Sequence, residues 1–119
     1  MTTLGIHHVS IDVTDVDAAV RFYVDRLGLT VLDRPALGFP GAWLGAGEQQ
    51  VHLLGVAEVS PSPSAHLALR VDDLDGLAAD LGDAGVRVRM AGQIDGVARQ
   101  AFVHDPDRNL VELHERLDG

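Results

Sequence analysis

The chain has 119 residues, 46% of them hydrophobic, with nine basic and eighteen acidic residues for a formal charge of −9. That fits one globular domain and argues against nucleic acid or an anionic membrane surface as partner. Cysteine is absent and all nine basic residues are arginine, which excludes disulfides, thiolate nucleophiles, cysteine zinc sites, Schiff-base lysines and the phosphate-loop lysine.

The opening Met1-Thr2-Thr3-Leu4 has no basic region or apolar run, so no signal peptide is expected. No stretch approaches the ~20 apolar residues of a membrane span. A cytoplasmic protein with a small-molecule substrate is expected. The first strand is predicted near 5–13, and Asp15 sits where a helix N-cap belongs. A helix near 15–27 follows, with Val16, Val20, Tyr23, Val24 and Leu27 as its apolar stripe and Gly28 as its stop. Strands are expected near 29–34, 41–45 and 49–55. Ser60-Pro61-Ser62-Pro63-Ser64 is a linker by composition.

The pattern then repeats. His8-Val9-Ser10-Ile11-Asp12-Val13 can be laid on His66-Leu67-Ala68-Leu69-Arg70-Val71. A strand near 65–71 leads to Asp73 as the second N-cap and to a helix near 73–84 striped by Leu74, Leu77, Ala78 and Leu81. Gly85 ends it, and strands near 86–90, 98–104 and 110–115 complete the copy. Asp105-Pro106-Asp107-Arg108-Asn109 is a turn between the last two. The expected fold is α+β: two βαβββ repeats forming a cupped eight-stranded mixed sheet with helices outside. One domain over 1–119 is expected, with repeat one near 5–56, a linker near 57–64 and repeat two near 65–116.

Alternation along the strands separates two faces. Val9, Ile11 and Val13 oppose His8, Ser10 and Asp12; Val51 and Leu53 oppose Gln50, His52 and Leu54. In the second copy, Leu67, Leu69 and Val71 oppose His66, Ala68 and Arg70; Val111 and Leu113 oppose Leu110, Glu112 and His114. The apolar sets can pack under the helices. His8, His52, His66 and Glu112 then share one face at matching repeat positions. Three imidazoles and a carboxylate so placed can hold a divalent cation, zinc, nickel, manganese or iron.

The chain also resembles the vicinal oxygen chelate superfamily, which includes glyoxalase I, methylmalonyl-CoA epimerase, extradiol dioxygenases, fosfomycin-resistance transferases and bleomycin-resistance proteins. The opening His7-His8-Val9-Ser10-Ile11-Asp12-Val13, the helix around Arg21-Phe22-Tyr23, the restart at His66-Leu67-Ala68-Leu69 and the close Asp105-Pro106-Asp107-Arg108-Asn109-Leu110-Val111-Glu112-Leu113 carry the likeness. The resemblance implies metal ligands at His8, His52, His66 and Glu112, and a homodimer. His52 stands where glyoxalase I and the epimerase usually carry Glu or Gln. The fosfomycin transferases use three ligands, matching His8, His66 and Glu112, which leaves His52 either a fourth ligand or a pocket base.

Two functions follow from this reading. One is a metal-dependent enzyme whose ion chelates two adjacent substrate oxygens and stabilises an oxyanion, in lyase, isomerase or ring-opening dioxygenase chemistry. There Glu112 supplies charge, and His52 or His114 acts as base. The other is a binder that sequesters an antibiotic-like ligand without turnover. Substrate contacts are expected from Trp43, Arg70 and His114. Phe39, Arg87 and Arg89 either line the same cup or sit in core and solvent; His7 and Tyr23 are read as structural.

Overall fold

Each predicted repeat folds into a four-stranded mixed sheet, and strand order is the same in both. The structure is a computed structural model that describes residues 1–117. Contacts divide the chain into two units, Met1–Ser60 and Pro61–Gly119.

In the first unit, β1 (His8–Val13), β2 (Thr30–Leu32), β3 (Gly41–Ala46) and β4 (Gln49–Gly55) lie in the order β1-β4-β3-β2. β1 runs parallel to β4; β2 and β3 are antiparallel to their neighbours. A parallel pair needs a crossover, and α1 (Val16–Arg21) begins it. Asp15 caps α1 as predicted, its Oδ1 accepting from the Ala18 amide at 3.0 Å. The helix predicted to 27 changes character at its end, becoming a π turn over Phe22–Arg26. The wider turn lets two consecutive aromatics, Phe22 and Tyr23, both reach the core. Gly28, at φ +81°, stops it. α1 packs on β3 and β4, above a core of Val13, Ala19, Tyr23, Leu44, Val51 and Leu53.

The second unit repeats this with β5 (His66–Arg70), β6 (Arg89–Met90), β7 (Ala98–His104) and β8 (Leu110–Arg116) in the order β5-β8-β7-β6. β5 is parallel to β8. α2 (Leu74–Asp83) is capped by Asp73, whose Oδ1 accepts from the Gly76 amide at 3.0 Å. Arg99 and Glu115, in register on β7 and β8, pin the helix start. The Arg99 guanidinium donates twice to Asp75, at 2.7 and 3.0 Å, and Glu115 Oε1 accepts from the Leu74 amide at 3.0 Å. Leu74, Leu81, Ala98, Ala101, Val103, Val111 and Leu113 form the core.

All eight expected strands form, but hydrogen bonding joins them as four and four rather than as one ladder of eight. β1 starts at His8 rather than near 5, because β4 offers partners only from Gln49 onward. β2 and β6, each at one edge of its sheet, are short, at three and two residues. Face alternation holds, and burial follows distance from the helix. Val51, Leu53, Val111 and Leu113 on the inner strands are buried, whereas Leu67 and Leu69 on β5 are half-buried and Val9 on β1 is 37% exposed.

Candidate functional site

In the first unit the site face is built around His52. Register places Ser10 on one side of it and Trp43 on the other. Serine is too small to fill its place, and His8, one pair along on β1, leans into the gap. The His52 ring is therefore a slab between two others. The Trp43 indole stacks at 4.6 Å between centroids with an interplanar angle of 11°, and the His8 imidazole at 3.9 Å and 13°. Only 7% of His52 remains exposed. Its Nε2 lies 2.8 Å from Gln50 Oε1. An amide oxygen can only accept, so Nε2 carries the proton and the lone pair is on Nδ1. Burial, helped by the neighbouring His8, His7 and Arg34, pushes the His52 pKa below its ordinary value. The ring is thus neutral at physiological pH, the form that ligates metal or accepts a proton. His7, one residue before His8, is hydrogen-bonded to it, Nδ1 to Nδ1 at 2.9 Å.

In the second unit the site face is built around Glu112. Register places Ala68 on one side and Phe102 on the other. Glu112 is 5% exposed and both its oxygens are engaged. Oε1 faces His66 Nε2 at 3.1 Å, and Oε2 accepts from His114 Nδ1 at 2.8 Å. Burial pushes the Glu112 pKa up, but hydrogen bonds from His114, Gln100 and His66 outweigh it and hold the acid below its ordinary value. The group is an anion in a nearly dry place.

The His66 ring is oriented from behind. Ser62 Oγ accepts from the Ser64 and Ala65 amides, forming a turn that aims the Ser64 carbonyl at His66 Nδ1, 2.7 Å away. A carbonyl only accepts, so Nδ1 carries a proton, and Nε2 is turned toward Glu112 Oε1. The 3.1 Å contact is closed either by a second ring proton, as an ion pair, or by a cation held between the two atoms. Two ligand atoms each about 2.1–2.2 Å from one ion, at a right angle, lie about 3.0 Å apart. The pair therefore fits adjacent positions on a divalent ion. A backbone carbonyl on the far ring nitrogen is also the usual support of a metal-bound imidazole.

The expected residues thus fall into two groups: His8, His52 and Trp43 in the first unit, and His66, Glu112 and His114 in the second. Arg70 is exposed on the His66 side of β5, in register with His114. Arg89 lies with its guanidinium 4.8 Å from the centre of the Phe102 ring, and Phe102 meets His66 edge-on at 5.5 Å. Phe39 is exposed and carries the Arg34 guanidinium over its ring at 4.9 Å. Within the first unit a groove of about 790 Å³ is lined by Asp15, Asp17, Arg34, Pro40, Gly41 and Val56, among others. Among the described residues no three His, Cys, Asp or Glu side chains are gathered as a ready metal cage; the donors come as pairs. Gln50, Gln100 and the Ser62–Ser64 turn escaped the sequence reading. The only signal for them was parity, since Gln50 precedes His52 by two on the same face.

Comparison with known proteins decides the family. Residues 5–113 match the model of the Glyoxalase/Bleomycin resistance protein/Dioxygenase superfamily. The chain belongs to that superfamily. A lactoylglutathione lyase from Haemophilus influenzae is 31% identical, covering 94% of this chain and 93% of that protein. TnmS3, an antibiotic binding protein from Streptomyces sp. CB03234, is 28% identical with a TM-score of 0.81, covering 98% of each chain. The fosfomycin resistance protein FosX of Listeria monocytogenes, crystallised with Mn(II) and a dihydroxypropylphosphonic acid, has a TM-score of 0.85 at 15% identity. It covers 98% of this chain and 96% of its own, and at that identity it speaks to fold alone. The superfamily resemblance read from the sequence holds, as does the α+β fold.

Proposed function

We propose that this superfamily member is a metal-dependent enzyme of the lyase or isomerase class, acting on a small substrate held through two adjacent oxygens. His8, His66 and Glu112 would hold one divalent ion, zinc, nickel, manganese or iron, with His52 as fourth donor. The observation that carries the reading is the His66–Glu112 pair, whose imidazole is oriented by the Ser64 carbonyl and whose Nε2 and Oε1 atoms face each other at 3.1 Å. When bound, such an ion supplies Lewis-acid stabilisation of charge developing on the substrate oxygens.

The chain's own residues do the rest. Glu112 stays ionised and supplies the negative donor. His52 offers the Nδ1 lone pair, with Nε2–H tied to Gln50, and takes up a proton if the fourth position is left to substrate. Trp43 walls the first-unit face, and Arg70 and His114 lie along the second. His8, His52, His66 and Glu112 would hold the ion, which would then supply Lewis-acid binding of the substrate oxygens. The protein is proposed to work in the cytoplasm as a homodimer, since each sheet ends on strands hydrogen-bonded within it on one side only; sedimentation checks the dimer.

The second reading is a ligand binder without turnover, favoured by the likeness to TnmS3. Metal analysis of protein purified without an affinity tag, followed by titration with a hydroxamate, separates the two. The enzyme reading expects about one ion per chain and a probe that binds the metallated protein but not His8→Ala. Equal binding to both puts the binder ahead. Protein that stays metal-free after growth in supplemented medium, with no gain in melting temperature on adding zinc, nickel, manganese or iron(II), removes the metal reading.

A further inference from the structure

We infer that His114 is a positioning residue that clamps Glu112 by its outer oxygen, so that the carboxylate offers a single oxygen, Oε1, toward His66. This rests on the metal reading and goes beyond it, since it assigns His114 neither to substrate nor to proton transfer. Residues 112 and 114 lie on the same face of β8, about 7 Å apart along the strand. A half-buried imidazole must lie back along the strand for Nδ1 to reach Oε2 at 2.8 Å. It does so beside Gln100, its partner in register on β7, whose side chain also bonds Glu112. Ala68, on the other side of Glu112, has only a methyl group and cannot hold the carboxylate. The group is therefore held from the His114 side and open toward His66.

A free carboxylate can rotate, present both oxygens to one ion, or turn away from it. With Oε2 spent on the His114 N–H, rotation breaks a charge-assisted hydrogen bond at a buried site, and one oxygen is left for the metal. The donor on Nδ1 is what matters; the far edge of the ring is not used.

The test compares metal binding by His114→Asn, whose amide nitrogen falls near the place of Nδ1, with His114→Gln, which carries its donor near the place of Nε2, and with His114→Leu. Zinc affinity is measured by competition with a chromophoric chelator. The visible absorption of the cobalt(II) form at saturation reports coordination. Wild type and His114→Asn should agree within about threefold in affinity and share one cobalt spectrum. His114→Gln and His114→Leu should bind zinc about 10- to 100-fold more weakly and show an altered cobalt spectrum, while their metal-free forms keep the wild-type circular dichroism. Should His114→Leu fail to fold, the Asn and Gln pair carries the comparison alone. If Gln or Leu binds like wild type, or Asn is as weak as Gln, the clamp is wrong. Wild type that binds no zinc overturns the metal reading and the clamp together, and so is distinguished from failure of the clamp alone.

Discussion

Glu112→Gln should separate stability from metal binding, because the two make opposite demands on this position. In the metal-free protein the Glu112 Oε1 and His66 Nε2 lone pairs face each other at 3.1 Å whenever His66 carries its only proton on Nδ1. A glutamine side chain has nearly the same shape but one acceptor end and one donor end. Its oxygen can keep the bond from His114 Nδ1, and its N–H₂ can donate to His66 Nε2. The opposed pair becomes a hydrogen bond, worth about 1 kcal/mol net, and a buried charge is removed.

Against this stands the loss of the charge-assisted bonds that keep the Glu112 carboxyl acidic. Charged-partner bonds contribute about 1.5–3 kcal/mol and neutral ones about half that. The terms nearly cancel, so metal-free Glu112→Gln at pH 8 should melt within about 5 °C of wild type, taking ~1 kcal/mol as about 4 °C for a domain of this size. Metal affinity should behave quite differently. Glu112 is the only anionic donor of the proposed set, and disturbing a ligand's outer partners alone typically costs 10- to 100-fold. Its own removal should cost at least about 100-fold. Calorimetric melting with and without zinc reads both quantities. The added-zinc stabilisation, present in wild type and absent in the variant, is the expected signature. A variant that keeps the zinc-induced shift refutes the assignment of Glu112. One that collapses without metal refutes the hydrogen-bond argument.

Other changes test the frame. Because the His52 pKa is lowered from 6.5 by folding, its contribution to stability should be complete above that value and fall as pH drops below it; in His52→Gln the melting temperature should lose that part of its pH dependence. Glu112, lowered from 4.5, should contribute a second loss at more acid pH, absent from Glu112→Gln. Arg108 holds φ +70° in the turn before β8, so Arg108→Gly should stabilise the protein by about 1 kcal/mol, seen as a higher melting temperature. Ser62→Ala should leave the fold intact but loosen the turn behind His66, with zinc affinity reduced about 10-fold if the turn orients that ring.

The sequence made the frame legible because the frame rests on short-range signals. Asp15 and Asp73 announce their helices, Gly28 ends the first helical segment, and the offset between the copies fixes which residues share a face. That parity put His8, His52, His66 and Glu112 on one face at matching positions of the two copies. It could not foresee the π turn: the stripe of Val16, Val20, Tyr23, Val24 and Leu27 implies a regular helix, whereas the buried residues of the segment are Ala19, Phe22 and Tyr23. Nor could it see the partners that set proton positions. The Ser64 carbonyl is a main-chain group, present at every residue, and it acquires meaning only through the Ser62 turn that aims it. Gln50 and Gln100 are ordinary strand residues until register sets one beside His52 and the other against Glu112.

The repeat also explains why two chemically different residues serve at one position. His52 and Glu112 occupy equivalent places on β4 and β8, each flanked in register by a small residue, Ser10 or Ala68, and an aromatic, Trp43 or Phe102. Both are more than nine-tenths buried, so both meet the same penalty for charge. They answer it in opposite ways. His52 gives up its proton and is sandwiched as a neutral ring, which aromatic stacking favours. Glu112 keeps its charge because His114 and Gln100 bring donors to it. Exchanging the two environments is therefore not neutral. A carboxylate at 52, between two ring faces, would be pushed toward its protonated form by burial, against the pull of the neighbouring His8, His7 and Arg34. His52→Glu should bind metal more weakly than wild type at pH 6 and recover as pH rises. Zinc titrations at pH 6 and 8 read this directly, and an affinity ratio to wild type that is the same at both pH values would show that burial does not control protonation at this position.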